Sequence, residues 1–162
     1  MQLLDGKLIS AQIKSEIKAE VETWVAQGGK KPHLAAILVG QDGASETYVA
    51  SKIRSCEEIG FTSTLLKFDS NATEEEILKA VDSLNQNPEI DGFIVQLPLP
   101  AHLNAQKIVN MVAIEKDVDG FRSGSPFTPC TPLGIARLLD ELDISVEGKF
   151  VVILGRSEYI GK

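Results

Sequence analysis

The residues that build metal and redox centres are scarce in this chain. It holds two cysteines, Cys56 and Cys130, and two histidines, His33 and His102. The cysteines lie far apart in no metal-ligand spacing, and each histidine stands alone, so no metal site is expected. With no secretory context, both cysteines read as reduced thiols. Cys56 falls on the apolar side of a helix and reads as core, while Cys130 falls in a loop. Positive charge is also short. Sixteen Lys and Arg against 23 Asp and Glu leave a net charge of −7, which argues against a nucleic-acid partner gripped through its phosphates. No apolar run reaches the length of a membrane span, so no membrane partner is expected. The first residues lack a basic stretch followed by an apolar one, so no secretory signal is read and a cytoplasmic location is expected.

What is present suits a folded domain. Hydrophobic residues make up 43% of the 162 and charged ones 24%, enough apolar surface to bury a core beneath a polar exterior. Over residues 7–25, Ile9, Ile13, Ile17, Val21 and Trp24 recur at helical spacing, and Gly28-Gly29 ends the pattern. The apolar run 34–39 reads as a buried strand of the parallel type. Residues 44–59 read as a helix closed by Gly60, and 61–68 as a strand. Thr73-Glu74-Glu75-Glu76 is a capping box opening a helix that Pro88 stops. Residues 91–96 read as a third strand, cut off by Leu97-Pro98-Leu99-Pro100. A short helix is predicted over 104–111, an aperiodic segment over 114–131, a helix over 132–142 and a last strand over 150–154. Alternating helices and strands predict an α/β fold with an open, doubly wound sheet. The division expected is a first domain over 1–146 and the start of a Rossmann-like nucleotide-binding domain over 147–162. A strand followed by a glycine turn ordinarily leads into a phosphate-binding helix, so that second domain is expected to be incomplete here.

Chemistry-bearing residues gather where the strands end. Ser45, Tyr48 and Lys52 follow the first strand, and Tyr48 and Lys52, four apart, share one helix face. The carboxyl edge of an open α/β sheet is where such folds bind ligands. A lysine sheltered there is suited to proton transfer, though the same spacing fits a solvated helix pair. Short-chain dehydrogenases also use Tyr-x-x-x-Lys, but after a complete dinucleotide fold, whereas here no nucleotide signal precedes it. Gln96 is the polar side chain that ends a buried strand, and it either caps backbone or faces a ligand. Asp117 and Asp119 flank the long loop. At most one of the two is expected to face a pocket; either could instead cap a turn. Gly155-Arg156-Ser157 is neither a dinucleotide fingerprint nor a P-loop. It offers an arginine fork and a hydroxyl for phosphate, or forms an ordinary surface turn.

Taken in order, these pieces resemble one family. Val39-Gly40 leading to Ser45-x-x-Tyr48-x-x-x-Lys52 and Glu57-Glu58-Ile59-Gly60 is similar to the first signature of the methylenetetrahydrofolate dehydrogenase/cyclohydrolase family. The segment from Asp91 to Pro100 resembles the second. Lys116 to Phe121 and Pro129-Cys130-Thr131-Pro132-x-Gly134 resemble further family blocks, and Gly155-Arg156-Ser157-x-x-x-Gly161-Lys162 resembles the start of the NADP-binding signature.

The resemblance implies a cytoplasmic, homodimeric enzyme of one-carbon metabolism that serves purine biosynthesis. Such an enzyme oxidises 5,10-methylenetetrahydrofolate with NADP and hydrolyses the methenyl product to 10-formyltetrahydrofolate. By the same resemblance, Lys52 is the principal catalytic residue, Tyr48 stacks on and orients the folate, and Gln96 bonds near the reacting centre and tunes Lys52. Asp119 holds the pterin edge, Ser45 supports the pocket, and Leu97 and Pro98 complete it. Gly155, Arg156 and Ser157 take NADP, with the last two on its 2′-phosphate. Family members continue for roughly one further domain. The rival expectation is therefore a folate-binding or dimerising piece without turnover.

Overall fold

The computed structural model describes residues 4–157. Gly161 and Lys162, which complete the last sequence block, lie outside them.

Helix α1 spans Gly6–Ala26, with the Asp5 carboxylate accepting the N–H groups of Lys7 and Leu8 at 3.1 Å each. Strand β1, His33–Val39, leads to α2, Gly43–Glu58, and then to β2, Thr62–Phe68. Helix α3, Glu74–Gln86, precedes β3, Gly92–Val95. Helix α4, Ala105–Asn110, a 3-10 turn at Ile114–Lys116, and α5, Cys130–Glu141, complete the described elements.

The strands form a parallel sheet in the order β2-β1-β3, with His33 opposite Thr62 and Leu34 opposite Gly92. β1 lies at the centre and is covered on both faces. Ala35, Ile37 and Val39 pack with Ile77, Val81, Phe93 and Ile108 on the α3/α4 side. Ala36 and Leu38 pack with Val49 and Ile94 on the α2 side. Burial on both faces is why β1 reads as an unbroken apolar run. Ile77, Val81 and Leu84 form the buried stripe of α3 at helical spacing.

The amino edge of the sheet is tied by one cation. Lys30 Nζ donates to the carbonyls of Pro88 and Glu89 at 3.0 Å and pairs with Asp91 at 2.9 Å. Asp91 also accepts the His33 N–H at 2.8 Å. Helix α1 is linked to α2 by Lys14–Glu58 at 2.5 Å and to α5 by Glu16–Arg137 at 3.8 Å.

Two expectations change. Helix α5 begins at Cys130, not at Pro132, so Cys130 belongs to a helix and not to the loop before it. Pro132 falls in the first turn, where backbone N–H groups have no intrahelical acceptor and a missing one costs nothing. The strand predicted over 150–154 is not formed among the described residues. Its side chains lie open, Phe150 at 95% and Leu154 at 96% exposure. A strand exists only against a neighbour that takes its N–H and C=O groups, and no described strand lies beside this one.

Candidate active site

Gly40, with φ at +88°, turns the chain out of β1, and Asp42 caps α2 by accepting the Ser45 N–H at 2.8 Å. That start sets the rotation of α2, which buries Val49 toward the sheet and turns Tyr48 and Lys52 to the carboxyl side. Lys52 Nζ stands 4.9 Å from the centroid of the Tyr48 ring, inside cation–π range. Its other partner is the Asp119 carboxylate, at 3.7 Å.

Asp119 comes from the long segment after α4. An isolated parallel bridge between Phe93 and Asp117 brings that segment alongside β3. Asp119 then lies against Lys52 and within 3.9 Å of the Cys130 thiol, at the start of α5. Burial pushes the Asp119 carboxyl above its ordinary value, and Asp117 adds to this, while Lys52 opposes it. Burial likewise pushes the Cys130 thiol up, with the Asp119 carboxylate adding to the effect.

Gln96 follows β3 and continues its ladder by donating its N–H to Ile37 O at 2.9 Å. Its side-chain Nε2 donates to Leu97 O at 2.6 Å. The buried Oε1 has no hydrogen-bond partner among the described residues. A buried acceptor left empty is costly, so a donor from a ligand would be welcome there.

These groups surround one cleft of about 290 Å³, lined by Tyr48, Lys52, Gln96, Leu97, Asp119 and Ser157 together with Phe121, Pro129, Cys130 and Thr131. A more apolar hollow of about 570 Å³, walled by Ile17, Leu34, Phe61, Ile94 and Val118, adjoins it and shares Lys52, Asp119 and Cys130. The cleft offers an aromatic face, a cation, an unfilled acceptor and a carboxylate within reach of one small planar molecule. Among the described residues, no group of three His, Cys, Asp or Glu is placed to hold a metal. No described helix is long and apolar enough to cross a membrane.

The other expected site residues stand apart. Ser45 is buried in the first turn of α2 and does not line the cleft. Pro98 lies just beyond it, after Leu97. Gly155 and Arg156 are exposed at the end of the described chain, and only Ser157 of that trio reaches the cleft wall. Phe121, Pro129, Cys130 and Thr131 were not expected to line the site. The only sequence signal for them is their place in the family-like blocks, since the turn closed at Asp117 and the start of α5 that bring them in leave no periodic pattern.

Residues 4–119 match the family model for the tetrahydrofolate dehydrogenase/cyclohydrolase catalytic domain, and residues 129–162 match the model for its NAD(P)-binding domain. The bifunctional protein FolD of Porphyromonas gingivalis is 52% identical over 170 residues, which cover 99% of this chain and 57% of that protein. The Bacteroides thetaiotaomicron protein of the same name is 52% identical over 171 residues, covering 100% of this chain and 58% of the relative. The chain thus spans less than two thirds of the length of these relatives. Among solved structures, the bifunctional FolD of Campylobacter jejuni superimposes with a TM-score of 0.94 at 42% identity, over 99% of this chain and 60% of its own. The Trypanosoma brucei enzyme, solved with NADP cofactor and inhibitor, gives 0.92 at 28% identity, over 97% and 57%. Sequence and structure agree: the chain belongs to the tetrahydrofolate dehydrogenase/cyclohydrolase family.

Proposed function

We propose that this chain carries the folate-binding part of a bifunctional enzyme. That enzyme oxidises 5,10-methylenetetrahydrofolate to the methenyl cation and hydrolyses the cation to 10-formyltetrahydrofolate. The observation that carries the reading is the convergence of Tyr48, Lys52, Gln96 and Asp119 on one cleft. In the same proposal, residues 1–146 form the folate domain and 147–162 open the nucleotide domain. The ion pair of Arg137 on α5 with Glu16 on α1 supports keeping α5 with the first. A homodimer in the cytoplasm, serving purine synthesis, is proposed from the family resemblance alone.

Each side chain has a distinct task. Tyr48, more than half exposed, presents a ring face on which a planar pterin stacks. The Asp119 carboxylate accepts hydrogen bonds from an amino-pyrimidine edge. The vacant Oε1 of Gln96 takes a donor close to the reacting carbon. In the hydrolytic step a water adds to the methenyl carbon and one ring C–N bond breaks; of the water's two protons, one ends on the freed nitrogen and the other leaves to solvent, discharging the cation. Lys52 stands where it can hold that water and pass the proton, a contribution ordinarily worth about 10² to 10⁴ in rate. Water-poor surroundings and a fixed pose supply the rest.

NADP fits the residues that remain. A Cβ at Gly155 would meet nothing within 4 Å, Arg156 is exposed, and Ser157 borders the cleft. An arginine fork, a hydroxyl and an uncrowded glycine suit a phosphate. When bound, the nicotinamide supplies the hydride acceptor for the oxidation.

Lys52→Met tests the proposal. Hydrolysis of the methenyl substrate, followed by its absorbance, should fall by about a hundredfold or more, with an unchanged circular dichroism spectrum. A wild-type rate in that variant overturns the assignment of Lys52. A second reading, folate binding without turnover, is favoured by the unpaired stretch 150–154, which leaves the nucleotide side unbuilt among the described residues. Saturable folate binding by the wild-type chain with no hydrolysis decides for that reading.

A further inference from the structure

Asp117 is the carboxylate of the pair that the cleft does not use. It is only 3% exposed, and burying a charge is expensive unless its lone pairs are filled. They are filled by its own loop. Oδ2 accepts the Arg122 N–H at 2.9 Å, and Oδ1 accepts the Phe121 N–H at 3.4 Å. The Asp117 carbonyl accepts from Gly120 N–H at 3.3 Å and from the Ser125 hydroxyl at 3.4 Å. On its other side, the Asp117 backbone bridges to Phe93 of β3. The residue therefore fastens the loop to the sheet at one end and closes a turn at the other. Asp119 lies between these two anchors.

The turn has little freedom left. Gly120 adopts φ of +69°, and a Cβ there would stand 2.5 Å from Phe127 O and 2.9 Å from Pro129 N. The guanidinium of Arg122 donates to Val112 O, pinning the far side of the turn near α4. Phe121, next to Gly120, is one wall of the cleft.

We infer that Asp117 is a positioning residue: its buried carboxylate closes the turn that aims Asp119 at Lys52 and seats Phe121 in the cleft wall. Its functional consequence rests on the folate reading above, but its geometry does not. Asp117 also acts through its charge. The groups that face Asp119 are Lys52 from α2, Cys130 from α5 and Asp117 from its own loop. Of these, Lys52 favours the ionised carboxyl and Asp117 disfavours it. Asp117→Asn keeps an acceptor oxygen for the turn and removes the charge, while Asp117→Ala removes both.

The test uses the full chain as wild type, Asp117→Asn and Asp117→Ala. The Asp119 side-chain carboxyl carbon is titrated by NMR, with no ligand present. The midpoint should move to lower pH in Asp117→Asn, and an unchanged midpoint in a folded variant overturns the inference. Methenyl hydrolysis should fall in Asp117→Ala by about a hundredfold, in kcat because Asp119 no longer holds Lys52 and in KM because it no longer meets the pterin edge. A loss confined to thermal stability, with kcat and the Asp119 titration intact, also overturns it. If wild-type chain neither binds nor hydrolyses folate, the functional reading fails while the titration still decides the role of Asp117. If both variants fail to fold, amide exchange in wild type decides. The Arg122 and Phe121 N–H groups should be protected, and free exchange at Arg122 overturns the inference.

Discussion

A lysine 3.7 Å away would ordinarily pull an aspartate's proton affinity down. At Asp119 burial outweighs that attraction, because desolvating a carboxylate costs more than one imperfectly seated partner returns. The folded chain then holds the proton at pH values where the unfolded chain, near the ordinary 3.8, has released it. Where the native state binds more protons, stability falls as pH rises. The contribution of Asp119 is thus fully present below 3.8, declines through the folded value, and stays flat above it. Asp119→Asn should remove that decline from urea unfolding midpoints measured from acid to neutral pH. A pH profile parallel to wild type would count against the raised carboxyl. Much of the site is visible in the chain at this scale. The i, i+4 spacing of Tyr48 and Lys52 sets them on one face by helix geometry alone. Asp117 closes a turn while Asp119 faces the cleft, a division that their two-residue spacing, which puts extended side chains on one side, does not by itself predict. Ser45 is where spacing misleads: its backbone N–H is taken by Asp42 and its side chain is buried, so nearness in sequence to Tyr48 does not carry it into the cleft.

Among the elements, helix α3 carries the strongest local signal. Thr73 Oγ1 accepts the Glu76 N–H at 3.3 Å, and Glu76 accepts the Thr73 N–H at 2.8 Å. The reciprocal pair satisfies two donors that the first turn leaves open. Thr73→Ala should lower stability by about 1 kcal/mol, read from chemical denaturation, with the sheet and the cleft unchanged. A variant as stable as wild type would mean that water replaces the cap without loss. The strands β1 and β3 were legible for a different reason: burial on both faces leaves no polar position to blur the run. The stretch 150–154 has the same apolar, β-branched composition and forms no strand. Composition states a preference for the pleated conformation, and pairing supplies its hydrogen bonds. The opening of α5 was misjudged by two residues because Pro132 reads as a first residue, whereas the first turn tolerates proline throughout.

On the scale of the molecule, the exposed run Phe150, Val151, Val152, Ile153 and Leu154 is the feature most at odds with a soluble surface. Five uncharged, β-prone residues without proline are a template for pairing between chains. Val152→Lys places a charge in the middle of that run, a device natural edge strands use against association. Light scattering of the 162-residue chain should fall in the variant, with the cleft residues untouched. Equal scattering would show that association, where it occurs, uses another surface. The long segment between α4 and α5 shows the limit of reading by periodicity. Its turn is set by contacts with β3 and α2, which are distant in sequence, and with the start of α5, which follows it, and none of these leaves a periodic signal in the segment itself.

The place of β1 at the centre of the sheet also governs timing. Both of its neighbours are made after it, β2 from Thr62 and β3 from Gly92 onward. During synthesis the first strand therefore waits, apolar on both faces, until a chain of several further elements has emerged. Lys52 is present early on a helix that has little to rest against. Asp119 arrives only after β3 has closed the sheet. The cleft thus closes only after β3 and the segment behind it have been made, and a nascent chain carries its lysine long before it carries a site.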